Sequence, residues 1–137
     1  MSVWEAAAGY LVGAPVRVRT GVLPYNNRGL AYRDPDNVRV VELGRSLEGS
    51  QKMRYFLHEL AHHAAGEAGG PRPSAKELRE VAAEVASPEA SVKYAAQPSE
   101  VKAEQISEVW REQIDKATWP GSRDLELKLA RWLKSVA

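Results

Sequence analysis

The chain contains no cysteine. Disulfides are therefore excluded, and so are thiolate zinc ligands and a cysteine nucleophile. This absence fits a cytoplasmic setting, which is the location expected. An excess of charge is also lacking. Lys and Arg number 19 against 18 Asp and Glu, for a formal net charge of +1. No general attraction to nucleic acid or to a membrane surface follows from that balance, and neither is expected as a partner. No stretch is long and apolar enough to span a bilayer. Met1 to Val12 has neither a basic leader nor a sustained apolar run, so no signal peptide is expected. Internal repeats and low-complexity tracts are missing too. What is present is a chain of 137 residues, 44% apolar and 27% charged, which suits one domain with a modest core.

The chemistry concentrates in Leu57-His58-Glu59-Leu60-Ala61-His62-His63. It holds His-Glu-x-x-His, the signature of zinc metallopeptidases. On a helix, His58 and His62 lie one turn apart and share a face. Two imidazoles so placed can hold one Zn²⁺, and Glu59 beside them can take a proton from water. The apolar spacing predicts a helix from Gln51 to about Ala65, with Ser50 as N-cap and Gly66 as C-cap. Met53, Leu57, Leu60 and Ala64 form its stripe, expected to pack on a sheet. His58, Glu59 and His62 lie off that stripe and face a cleft.

The rest of the chain supplies the frame. Val3 to Val12 reads as a short helix with Trp4, Ala8 and Leu11 on one face, ended by Gly13 and Pro15. Val16 to Val22 alternates as a strand does. Pro24 and Asn26-Asn27-Arg28-Gly29 make a turn. Leu30 to Arg33 is a second strand and Val38 to Leu43 the strongest one. Glu67 to Pro73 must be a loop. Ser74 and Glu77 form a capping box for a helix reaching Ala86 or Ser87. Pro98 to Lys116 and Asp124 to Val136 are helices separated by Trp119-Pro120-Gly121, and their tryptophans belong to the core. The expected class is α+β: about three strands, antiparallel or mixed, packed on the histidine-bearing helix, a following glutamate-bearing helix and C-terminal helices. A single domain is expected, with a helix and sheet over 1–49, a zinc-binding helix hairpin over 50–87 and a helical part over 88–137.

A catalytic zinc needs three protein ligands and one open position. His63 is adjacent to His62 and turned about 100° from it on the helix, so it cannot close the same site. A third histidine spaced as in longer zinc motifs would fall on Ala68. The third ligand is therefore a carboxylate from elsewhere. A helix hairpin with a Gly/Pro loop brings Glu80 and Glu84 back over the first helix, and either can donate.

These residues resemble gluzincin-type zinc metallopeptidases. Glu80-Val81-Ala82-Ala83-Glu84 matches the Glu-x-x-x-Glu form of their second helix. Glu77 to Ser87 is similar to the glutamate helix of the ImmA/IrrE family of compact peptidases and to the metallopeptidase domain of ArdC antirestriction proteins. The resemblance covers about Val38 to Ser87. It implies that Glu80 binds Zn²⁺ with His58 and His62, and that Glu84 orients the His58 imidazole. It implies Glu59 as general base and an edge strand at Val38, Val40 and Val41 that pairs with an extended substrate. Tyr94 and Tyr55 are the candidates for a donor to the oxyanion, Tyr94 being favoured. The activity implied is that of a zinc-dependent metalloendopeptidase acting on a protein or peptide, with a regulatory, repressor-type substrate. Two other classes compete: a nucleic-acid-binding or antirestriction module with a zinc site, and a helical interaction protein with no metal.

Overall fold

Ser2 and Glu5 cap the first helix reciprocally. The Ser2 hydroxyl accepts from the Glu5 N–H and the Glu5 carboxylate accepts from the Ser2 N–H. Helix α1 (Val3–Val12) ends at Gly13, whose φ of +76° closes the last turn. The computed structural model describes residues 1–25, 27–119 and 123–136. Asn26 of the expected turn, and Pro120-Gly121 of the expected helix break, lie outside the described residues.

Three strands follow α1: β1 (Val16–Gly21), β2 (Gly29–Arg33) and β3 (Arg39–Gly44). Their order is β1-β3-β2, with β1 parallel and β2 antiparallel to β3. The sheet is thus mixed, as the fold class expected. The edge assignment is corrected. Strand β3 is the middle strand, Val40 and Val41 are 0% exposed, and Val38 lies just before it. Val38, Val40 and Val41 therefore offer no free edge, and the edge on that side is β2. The physical reason lies in the two faces. Val41 belongs to the main core with the helices, and Val40 joins Leu30, Tyr32 and Leu78 on the opposite face. Adjacent buried valines suit a strand covered on both faces.

Helix α2 (Gly49–Ala64) buries Met53, Phe56, Leu57, Leu60 and Ala61. This face meets the sheet through Val41 and Leu43, and the C-terminal helices through Ile114, Leu129 and Trp132. Phe56 is fully buried, and its ring meets the Trp4 ring edge-on at 4.9 Å. Removing such a ring costs about 3–5 kcal/mol. The N-cap of α2 is Glu48, with no side-chain cap, and Ser50 falls inside the first turn rather than capping it. At the other end Gly66 adopts φ +74°, and the Glu67 N–H turns back to the His62 carbonyl at 2.9 Å.

Beyond the loop lie α3 (Ala75–Glu84), α4 (Pro88–Ala95), α5 (Pro98–Ala117) and α6 (Leu125–Val136). Ser74 and Glu77 form the predicted capping box. Helix α4 was not expected. Helix α3 stops at Glu84, short of the expected Ala86 or Ser87, and Pro88 starts a new helix, because proline suits a helix's first turn and the Ser87 hydroxyl accepts from the Ala90 N–H. Helix α5 packs on α2, and α6 on α1 and α5. Lys128 is buried and paired with Asp115. No described helix is long and apolar enough to cross a membrane.

Candidate metal centre

His58 and His62 project from one side of α2, as the motif predicts. Their rings lie 4.9 Å apart, nearly perpendicular. The third group is Glu100, in the first turn of α5. Its carboxylate oxygens stand 2.9 Å from His58 Nε2 and 3.5 Å from His62 Nε2. Donor atoms of His58, His62 and Glu100 all lie within 4.8 Å of one another. Donors around a tetrahedral metal ion at about 2.0 Å are separated by roughly 3.3 Å, so the set could hold a metal ion.

The outer ring nitrogens are held as well. His58 Nδ1 lies 3.0 Å from a Glu104 carboxylate oxygen, one turn further along α5. His62 Nδ1 faces Glu67 at 3.9 Å, an ion-pair distance. A carboxylate behind a ligating imidazole fixes its ring and raises its basicity. This support directs both Nε2 atoms towards Glu100.

The structure brings His58 and His62 together with Glu100, not with the expected Glu80. Glu80 and Glu84 are on α3 and exposed, and among the described residues neither joins the histidines. Glu100 stands where Glu80 was expected and Glu104 where Glu84 was. The signal was present: Glu100-Val101-Lys102-Ala103-Glu104 repeats the Glu-x-x-x-Glu spacing. Helix α3 is held by Leu78, which packs on the sheet face away from α2. Helix α3 lines the cleft through Glu77, Leu78 and Val81, but Glu80 and Glu84 do not join the histidines.

Glu59 is next to His58 and points under the sheet edge. A Cβ at Gly29 would lie 2.8 Å from its Cγ, so the close approach of β2 needs a glycine there. Burial raises the Glu59 carboxyl above the usual range, against the pull of His62 and His58. Hydrogen bonding to Glu100 lifts the His58 imidazole to about 9 despite its burial. Burial alone would raise Glu100, but its bonds to His58 and His62 more than offset that and hold its carboxyl far below the usual range. His62 is raised too: its burial opposes the charge, and the Glu100 hydrogen bond and Glu59 outweigh it.

A cleft of about 380 Å³ opens beside Glu59, His62 and Glu100. Gly29, Leu30 and Ala31 of β2 form one wall, and Glu59, His62, Tyr94 and Glu100 stand among its other lining residues. Tyr94, on α4, therefore reaches the cleft. Burial and the nearby Glu100, Glu59 and Glu84 carboxylates push its hydroxyl upward, so it remains a proton donor. Tyr55 instead packs on the main core beside Arg28 and Arg54. His63 turns away from the cleft, and its Nε2 lies 2.7 Å from the Val40 carbonyl oxygen.

No protein-family model, curated protein or solved structure matches the chain. The site therefore stands on its own geometry.

Proposed function

We propose that this protein is a zinc-dependent endopeptidase whose metal is held by His58, His62 and Glu100. One observation carries the proposal: two imidazoles of α2 and a carboxylate of α5 converge, with the half-buried Glu59 beside them in a cleft walled by a strand edge. Bound there, Zn²⁺ supplies a Lewis acid that polarises a carbonyl and lowers the pKa of water. The other roles belong to the chain. Glu59 takes a proton from the attacking water as the new C–O bond forms. It then returns that proton to the amine as the C–N bond breaks. The Tyr94 hydroxyl donates to the oxygen that gains charge. Glu104 keeps the His58 ring aligned. Gly29 and Ala31 direct backbone groups to an extended peptide. A regulatory protein is the proposed substrate class, in a cytoplasmic setting.

The test combines metal content with hydrolysis of a random-sequence peptide mixture. Purified protein should hold close to one Zn²⁺ per chain and cleave the mixture. Glu59→Gln should keep the metal and lose at least about 100-fold in rate. A chain that takes up no zinc, or a Glu59→Gln variant as active as the parent, would refute the proposal.

A further inference from the structure

We propose that residues 67–73 cap the edge of β2, so that the cleft accepts only a short run of extended peptide on one side of the scissile bond. This rests on the peptidase proposal and specifies its substrate as an exposed chain end or a tight loop. Backbone alternation supplies the first part. Leu30 and Tyr32 pair opposite Glu42 and Val40, and the Asp34 N–H bonds the Val38 carbonyl at 3.0 Å. Gly29, Ala31 and Arg33 consequently direct their N–H and C=O groups away from β3. Gly29 and Ala31 open on the cleft. Arg33 does not offer its N–H, which is donated to the Gly70 carbonyl at 2.8 Å.

The loop that delivers Gly70 is pinned at both ends. The Glu67 N–H is tied to His62 on α2. Arg72 donates from Nε and Nη2 to the two Glu42 oxygens at 3.0 and 3.2 Å. Glu42 is itself buried and accepts from the Tyr32 hydroxyl at 2.7 Å, so the anchor is part of the sheet. Ala68 and Pro73 of the same loop line the cleft. The pairing edge therefore runs from Gly29 to Ala31. At about 3.3 Å per residue this serves two or three substrate residues, and a longer segment must then leave the sheet.

Peptide hydroxamates test the cap by binding rather than by turnover. Two series of one to six residues are used on zinc-loaded protein, one with the hydroxamate at the C-terminus and one at the N-terminus. In the parent chain, the affinity of one series should stop rising after about three residues, while the other is not limited there. Unpinning the loop with Arg72→Ala and Glu42→Gln together, or with Arg72→Gln alone, should let the limited series gain about tenfold more with length. The unlimited series should be unchanged. Equal gains with length in both parent series would overturn the cap and leave the peptidase proposal standing. So would unpinned variants that bind as the parent does. No hydroxamate binding by the zinc-loaded parent would remove both.

Discussion

Two helices of this chain carry glutamates at the same spacing, with the same alanine before the second one. Glu80-Val81-Ala82-Ala83-Glu84 lies on α3, and Glu100-Val101-Lys102-Ala103-Glu104 on α5. Among the described residues, the second pair meets the histidines and the first does not. The difference is in which side of each helix is buried: on α5 the glutamates share the side that packs, and on α3 they lie opposite it. Ala103 is 0% exposed and, with Ser107 and Ile114, forms the buried side of a helix that packs on α2. Ala83 is exposed, and the one buried residue of α3 is Leu78, on the sheet's other face. A ligand pattern thus tells which side chains could bind, and the packing stripe tells which helix stands close enough to do so.

The sharpest break of this comparison is at the first glutamate. Glu100→Ala should weaken zinc binding by more than about 100-fold, while Glu80→Ala should leave it within about twofold. Titration with a competing chelator measures both. Comparable losses in the two variants would return α3 to the site. Next come the second glutamates. Glu104→Ala should cost about 10–100-fold in zinc affinity through a loosened His58 ring, and Glu84→Ala should cost little. The same titration decides.

The alanines sharpen the argument at lower energy. Ala103→Leu overpacks the contact with α2 and should destabilise by about 1–3 kcal/mol, with weaker zinc binding as α5 shifts. Ala83→Leu should stay within about 0.5 kcal/mol. Urea unfolding of the two variants checks this, and equal effects would contradict the packing explanation.

The smallest expected effect concerns the face that holds α3. The Arg72 hydrogen bonds outweigh the burial of Glu42 and hold its carboxyl below its ordinary value of 4.5. A lowered folded value means that this stabilisation is present above the unfolded pKa and is lost as pH falls through the folded one. Below about pH 4.5, Glu42→Gln should therefore lose stability less steeply than the parent, by roughly 1 kcal/mol across the window. Acid titrations of the melting temperature would show two parallel curves if Glu42 contributed nothing.

Much of the frame was legible along the chain. Helix α1, the extents of the three strands and α2 follow from local apolar periods and breakers, each within a residue or two. The His58, Glu59 and His62 cluster was legible because one helical turn fixes it. Strand order was not, since pairing β1 with β3 is decided across a long connection. The adjacent Val40 and Val41 were a hint of a middle strand, because alternation fails where both faces are covered. The third ligand was hidden for a related reason. Glu100 is 42 residues from His58, and the expectation of a simple hairpin favoured the nearer glutamates. Helix α4 is short and buries no residue, so it leaves no apolar period along the chain, and only Ser87 and Pro88 mark its start.

The far margin of the sheet is closed differently from the cleft side. On β1 the Val18 N–H is donated to the Glu5 carboxylate at 3.3 Å, a side chain already engaged in capping α1. A negative charge therefore guards that flank, where an incoming strand would need a neutral carbonyl. An incoming strand finds the Val18 N–H already taken, which works against repeated stacking of chains into a continuous ribbon from that flank.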